Sequence, residues 1–359
     1  ARLDGSISCR LVRTMHNIRL ILSLLAAWCM LAAGQNIAVT MKPLRYCSNK
    51  KWWGCKTRSY PYGHYWNNAG MSNDNQDKAF FAIMGSAPPR TDVRYIAIFS
   101  SGQQGSSGGD DSANAMSGAS DNWKWSTNEN PSETRYVDAR SVAGKFYNDE
   151  ILPRSKTLAL TVWDAQFNHM ASSGEKADTL EGYVNYLNSK VYWANIEGVV
   201  LVGSSRGGCL AMRLAKEIKV KAPSADFAVG SVDGVCKYTQ SELGTRNSKI
   251  DNPIPAAPSS YKAYKTNLAS EFSDKDHFCI FHLVGGQEVT GLALGVRAFT
   301  HETCSAETCA LSNNGKDWYK QQWINLAHQT AGRDYSKASI TIDPMVQHIK
   351  DCKTRFGWS

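Results

Sequence analysis

The feature that most limits how this chain can fold is a strand, a tight turn and a helix in immediate succession. Residues 198–202 form an apolar, mostly β-branched run, and residues 208–219 carry two leucines and an isoleucine at intervals of four, which gives one apolar helical face. Only Gly203-Ser-Ser-Arg-Gly207 separates the two. Such a turn brings the helix back onto the strand that it follows, and this unit builds parallel sheets covered by helices.

Further short apolar runs are predicted to be strands, and helical segments alternate with them. The runs are rich in β-branched and aromatic residues, as is typical of strands buried on both faces of a parallel sheet. No internal repeat or proline-rich linker divides the chain, so we predict a single α/β domain with a doubly wound, mostly parallel sheet. The predicted strands are Tyr95–Phe99, Leu158–Trp163, Val199–Val202, Phe227–Val232, His277–Val284 and Ala338–Ile342, and the predicted helices include Thr179–Lys190 and Gly208–Lys219.

The first 34 residues are predicted to lie outside that domain. Residues 15–19 are a short basic start, residues 20–31 are almost continuously apolar, and residues 32–34 are small, as at a signal peptidase site. The apolar run is shorter than the roughly 18 residues of a membrane span, and no later segment is apolar enough to be one. We therefore expect upstream residues over 1–14, a signal peptide over 15–34 and a secreted domain over 35–359.

Charge and cysteine content narrow the classes of function. The net charge is +8, of which residues 1–34 contribute +3, and the remaining +5 includes no block of Lys and Arg, which argues against nucleic-acid binding. Eight of the ten cysteines follow residue 34, and an even number in a secreted chain favours disulfides. Close spacing suggests the pairs Cys47–Cys55 and Cys304–Cys309, although sequence alone does not assign the connectivity.

No metal or other cofactor is expected from the sequence. His301, Cys304 and Cys309 have spacing that resembles half of a zinc site, but no matching second pair follows, and a secreted chain favours oxidation of such cysteines. His277 and His282 lie five apart in one predicted strand, which places them on opposite faces and argues against a shared metal ion.

Ser205 is the candidate nucleophile, at the centre of the Gly203–Gly207 turn. Glycines two before and two after it give room to a crowded backbone, and the helix that follows points its amide dipoles at a developing oxyanion. With a strand before this turn and a helix after it, the chain resembles the α/β-hydrolase superfamily, in its esterase and lipase-like serine hydrolase branch. The resemblance covers about residues 90–355 by element order. It implies an acyl-enzyme formed on Ser205 by attack on an ester-like carbonyl of a small-molecule or polymer substrate.

The same resemblance implies an acid and then a histidine, in that order, after the serine. His348 is the candidate base because it alone follows the last predicted strand, whereas His301 and His328 precede it. Glu288 is the candidate acid, because Gly285-Gly-Gln-Glu288 follows the penultimate predicted strand. Asp233, after the preceding strand, is the rival acid.

An oxyanion hole would use the amide of Arg206 and one amide from the turn that includes Gly102 and Gln103. That turn opens the Ser- and Gly-rich segment 100–120, which directly follows a predicted strand. The His-Gly-Gly-Gly form of many esterases is absent from the sequence. Its absence keeps a second function in consideration, a secreted binding or matrix protein that has the α/β-hydrolase fold without catalysis.

Secretion with oxidised cysteines gives a testable mass. Because a signal peptidase removes the leader and an oxidising compartment forms disulfides, intact-mass measurement on secreted protein should show a chain that starts near Gln35. That chain should lack up to eight hydrogens relative to the fully reduced form. A retained 20–31 segment, or eight free thiols, would contradict the prediction.

Overall fold

The computed structural model describes residues 35–43, 45–51, 54–59, 80–102, 115–119, 135–162, 183–236, 276–285, 296–297, 318–324, 326, 331–332 and 334–359. The chain divides into two units, residues 1–35 and 36–359, and Gln35 is the described residue of the first unit. The second unit contains the predicted α/β domain. No helix in the described ranges is long and apolar enough to cross a membrane.

One large sheet organises the described part of the second unit. Two smaller pairs accompany it, the hairpin of β2 (Arg45–Lys51) with β3 (Gly54–Ser59) and the pair of β10 (Val235–Cys236) with β12 (Val296–Arg297). The strands of the large sheet are β1 (Ile37–Pro43), β4 (Phe80–Met84), β5 (Tyr95–Ser100), β6 (Arg135–Val137), β7 (Thr157–Val162), β8 (Gly198–Ser204), β9 (Asp226–Val232), β11 (Phe278–Gly285) and β13 (Tyr319–Ile324).

Helices connect and cover these strands. The longer ones follow β8 and β13 in the chain, and a helical segment over 183–190 precedes β8. The helices are α1 (Val142–Asn148), α2 (Arg206–Lys221) and α3 (Ile342–Phe356), with 3₁₀ turns at Arg154–Lys156, Trp193–Asn195 and Tyr335–Lys337.

The strand order confirms the predicted fold class. Across the sheet the order is β13-β11-β9-β8-β5-β7-β4-β1-β6. Every neighbouring pair from β13 to β7 is parallel, while β4, β1 and β6 join in antiparallel pairs. The chain runs from β5 to β7 and then returns to the other side of β5 as β8. In open α/β sheets a ligand binds beyond the carboxyl ends of the strands at such a reversal.

Helices pack on both faces of the sheet, so the parallel strands are buried on both sides. Phe227 and Val229 of β9 belong to the core that includes the apolar side of α2. Ala228 and Val232 point the other way, into the core shared with α1 and α3. This alternation follows from the two-residue period of a strand.

The prediction of a strand over Ala338–Ile342 is wrong. Residues 338–341 form a turn, and α3 begins at Ile342. The isoleucines and the threonine made the run look β-branched, but Ile342 is the first residue of an apolar helical face. Pro344 is compatible with this start because a first-turn residue needs no N–H for the helix ladder. The buried face of α3 comprises Ile342, Met345, Val346, His348, Ile349 and Cys352.

No sequence pattern predicted β13. Its six residues, Tyr-Lys-Gln-Gln-Trp-Ile, include three polar ones, so the run lacks the continuous apolar character of the other parallel strands. It pairs in parallel with β11 alone among the described strands, and Lys320 is exposed whereas Ile324 is buried. An edge position tolerates such polar residues, and pairing with β11 therefore fixes a strand that composition does not indicate.

A disulfide joins the sheet to α3. Cys279 of β11 and Cys352 of α3, which are 73 positions apart, form this bond. Spacing gave no reason to pair them. For Cys47 and Cys55 the structure describes the backbone but not the side chains, and Cys304 and Cys309 lie outside the described residues altogether. The two pairs suggested by spacing therefore stay predictions.

Candidate active site

Ser205 lies at the junction between β8 and α2, in a backbone conformation that residues other than glycine rarely adopt. Its φ is 52° and its ψ is −124°. Its N–H donates to the carbonyl of Val232 at 3.0 Å, and its own carbonyl accepts from the N–H of Gly208 at 3.1 Å. Such a conformation costs about 1–3 kcal/mol and persists only where the surroundings hold it. Here β9 and the first turn of α2 hold it, and the side chain is half-buried rather than enclosed.

The glycines on either side of Ser205 permit a very close backbone approach. A methyl group on Gly203 would overlap the carbonyl group of Gly207. A methyl group on Gly207 would in turn overlap the carbonyl oxygens of Ser100 and Ser101 at the end of β5. The helix can therefore start directly above the neighbouring strand only because both positions lack a Cβ. This is the packing role that the sequence pattern predicted for them.

The turn after β5 lies directly against Ser205. A methyl group on Gly102 would lie 2.7 Å from the Cβ of Ser205 and 3.2 Å from its Oγ. Arg206 follows Ser205 as the first residue of α2, where backbone N–H groups have no partner within the helix ladder. The structure thus brings two of the predicted oxyanion residues, Gly102 and Arg206, to the serine. Gln103 lies outside the described residues.

A third segment reaches the same place from the chain beyond β13. A methyl group on Gly332 would lie 3.2 Å from both the Cβ and the Oγ of Ser204. The carbonyl of Gly332 accepts from the N–H of Ala115 at 3.0 Å, and Ala115 follows β5 in the chain. The segment after β13 therefore passes beside the turn that presents Ser205.

Asp233 lies one strand away from the serine. It directly follows Val232, whose carbonyl accepts the N–H of Ser205, and it is fully buried with a φ of 44°. Its own N–H donates to the carbonyl of Leu283 in β11 at 2.6 Å. Glu288, three residues beyond the end of β11, lies outside the described residues. The rival acid is thus placed near the turn, and the position of the first candidate stays a prediction.

His348 lies in the core rather than at the carboxyl ends of the strands. Its side chain is 5% exposed, and its Nε2 lies 3.1 Å from the carbonyl oxygen of Val229. Burial lowers the pKa of His348 to about 4, against an opposing effect of that hydrogen bond, so the imidazole is neutral at physiological pH. Val229 precedes Val232 by three residues, a distance of about 10 Å along a strand. The described contacts of His348 therefore do not support a pairing with Ser205.

The choice of His348 as base depended on the strand that the structure does not contain. With β13 as the last strand of the sheet in the described ranges, the first histidine after it is His328. His328 lies outside the described residues, between Leu326 and the 331–332 segment that passes beside Ser204. If β13 had been predicted from the sequence, the rule that the base follows the last strand would have pointed to His328 as the candidate base.

The two histidines in the region of β11, His277 and His282, lie beside residues of the neighbouring strand β9. His277 precedes the strand, and its Nδ1 lies 2.8 Å from Oδ1 of Asp226. His282 is fully buried within β11, in register with Ser231 of β9.

Comparison with known proteins gives a distant structural likeness. No family model and no curated protein matches the sequence. The structure of EstE5-PMSF is 11% identical, with 78% of this chain and 82% of that chain covered and a TM-score of 0.33. A soluble variant of monoglyceride lipase from Saccharomyces cerevisiae in complex with a substrate analog is 10% identical. The match covers 82% of this chain and 98% of that chain, with a TM-score of 0.33. A hormone-sensitive lipase from a metagenome library is 12% identical, with 78% of this chain and 82% of that chain covered and a TM-score of 0.29.

Strand order and the turn at Ser205 together define the fold independently of these values. The nucleophile candidate follows the strand at which the sheet order reverses, and a helix begins directly after it. The chain has an α/β-hydrolase-like fold.

Proposed function

We propose that this protein is a serine hydrolase that cleaves an ester-like bond through an acyl-enzyme on Ser205. The observation that carries the proposal is the backbone of Ser205, held at φ 52° between β8 and α2 with the backbone of Gly102 against its side chain. A strained serine at a strand-to-helix turn, beside a second backbone segment, is the arrangement that nucleophile and oxyanion hole require.

In the proposed reaction the Oγ of Ser205 attacks the ester carbonyl carbon while a histidine takes its proton. The carbonyl oxygen becomes an oxyanion, which the amide of Arg206 and an amide of the Gly102–Gln103 turn would stabilise by hydrogen bonds. The histidine then gives the proton to the leaving alcohol, and the acyl group stays on Ser205. Water activated by the same histidine attacks the acyl-enzyme and releases the carboxylic acid.

For the base we propose His328, with His348 as the alternative that sequence order first gave. A base must come within hydrogen-bond reach of the serine, and the segment after β13 passes beside Ser204, whereas Nε2 of His348 contacts Val229. For the acid we retain Glu288, with Asp233 as its rival. A carboxylate at either position would orient the imidazole and stabilise its protonated form.

We further propose that the protein acts outside the cell, with residues 15–34 as its signal peptide. The support is the basic start, the short apolar run and the small residues before Gln35. The substrate class that fits is a small-molecule or polymer ester. A secreted binding protein without turnover is the other function to be tested, and covalent labelling by a fluorophosphonate separates the two because labelling requires an activated serine.

Ser205→Ala should abolish hydrolysis of short p-nitrophenyl esters, because the alanine keeps the backbone but has no oxygen to attack the carbonyl. We expect a loss of at least about 10³-fold in kcat, with the circular dichroism spectrum unchanged. Ser204→Ala is the matched control, since it removes a neighbouring hydroxyl and should cost far less. Turnover like that of the wild type in Ser205→Ala would refute the assignment.

The pH dependence of kcat/KM should identify the base, because the base acts only when it is deprotonated. A histidine with an ordinary pKa of about 6.5 makes kcat/KM fall about tenfold per pH unit below that value. The buried His348, with its pKa lowered to about 4, would instead leave kcat/KM level down to pH 5. We expect the first profile, together with loss of turnover in His328→Gln and its retention in His348→Gln. If kcat/KM instead stays constant down to pH 5, the result would identify His348 as the base.

Two substitutions distinguish the acids, since each keeps the shape of the side chain and removes its charge. Glu288→Gln should lower kcat by roughly 10²- to 10⁴-fold, equivalent to about 3–5 kcal/mol of transition-state stabilisation, because the imidazole loses the group that orients it. Asp233→Asn should change kcat little if Glu288 is the acid. The reverse result would show that the acid follows β9 and that segment 285–288 has no catalytic role.

A further inference from the structure

Three potential metal ligands meet between β11 and α3, away from the proposed active site. They are Cys279, His348 and Cys352, and one donor atom from each lies within 4.8 Å of the others. His348 and Cys352 are one helical turn apart on the buried face of α3, and Cys279 faces them from the sheet. In the described structure the two sulfurs form the disulfide.

The hydrogen bonding of His348 determines which of its nitrogens is free to bind a ligand. The carbonyl of Val229 only accepts, so Nε2, 3.1 Å away, must carry the proton. The neutral ring then has its lone pair on Nδ1, and Sγ of Cys352 lies 3.5 Å from Nδ1 and 3.6 Å from Nε2. A metal-binding histidine usually donates its other N–H to a carboxylate or a backbone carbonyl, and this arrangement is already present here.

We propose that Cys279, Cys352 and His348 bind one Zn²⁺ when the disulfide is reduced. Two thiolates, one neutral imidazole and Zn²⁺ have no net charge, which suits a site with almost no solvent exposure. Sulfur and imidazole nitrogen are the ligands that zinc prefers, and three such ligands with a water as the fourth are a known zinc coordination. The site is separate from Ser205 and does not depend on the proposed hydrolase function.

The same two sulfurs would hold either the disulfide or the metal. A dithiol reductant supplies two electrons and two protons to the disulfide, which becomes two thiols, while the reductant becomes a disulfide. Binding of Zn²⁺ then displaces the two thiol protons. A disulfide oxidant reverses the process by accepting two electrons from the thiolates, which re-forms the Cys279–Cys352 bond and releases Zn²⁺. Both states join β11 to α3, so reduction with zinc present need not detach the helix.

The test is zinc stoichiometry of the full chain after reduction with a dithiol and removal of the reductant without air. Competition with a chromogenic zinc chelator should show one equivalent of Zn²⁺ more in the wild type than in Cys352→Ser or His348→Gln. Other cysteines of the reduced chain can also bind zinc, so the double variant Cys47→Ser/Cys55→Ser serves as the matched control and should keep this equivalent. Substitution with Co²⁺ should give a tetrahedral thiolate spectrum that both single variants lose.

Thermal unfolding gives a second measurement, which can still be interpreted if reduction of the disulfide destabilises the protein. Zinc should raise the Tm of the reduced wild type, or restore cooperative unfolding if reduction has abolished it, because the metal binds only the folded site. Zinc should leave the Tm of the oxidised protein unchanged. The proposal fails if reduced wild type and His348→Gln bind the same number of zinc ions, or if the oxidised protein shows the same zinc-dependent rise.

Discussion

The close backbone contact between the start of α2 and the ends of β5 and β8 is the constraint on which the rest of the site depends. Gly203 and Gly207 allow this contact because neither has a Cβ that would overlap the facing carbonyl group. The contact forces the chain to turn within one residue, and Ser205 takes the positive φ that results. Its hydrogen bond to Val232 joins the strained turn to the next strand, so the whole parallel sheet resists relaxation of the turn.

Residues that are far apart in the chain meet at this edge because parallel strands all end on the same side. Gly102 follows β5, Asp233 follows β9, and Gly332 follows β13, yet each lies near the turn that holds Ser205. The described helices α1, α2 and α3 pack across the faces of the sheet and bury the strands on both sides. The apolar interior thus stabilises the same geometry that presents the polar groups.

His348 shows how the interior accommodates a polar side chain. Its ring packs 5.4 Å from the ring of Phe281, and its N–H satisfies the carbonyl of Val229. Neutral imidazole is the form that such surroundings favour, since a buried charge would cost free energy without a partner. The helix face that carries it is otherwise apolar, so the histidine sits where amphipathic patterning alone would place a hydrophobic residue.

The sequence by itself determined the features that depend on neighbouring residues. Continuous apolar runs indicated five strands of the sheet, the four-residue spacing indicated α2, and the glycines around Ser205 indicated the strained turn. Each of these patterns reflects a local period or a local steric requirement, and the structure follows them.

Only the tertiary structure decided the features that depend on distant partners. Pairing with β11 makes a strand of the polar β13, and burial against the sheet makes Ile342 the start of α3 rather than the end of a strand. The Cys279–Cys352 bond likewise joins positions that no spacing relates. The reason is physical: the free energy of these elements comes from contacts across the sheet, which a local pattern of residues does not encode.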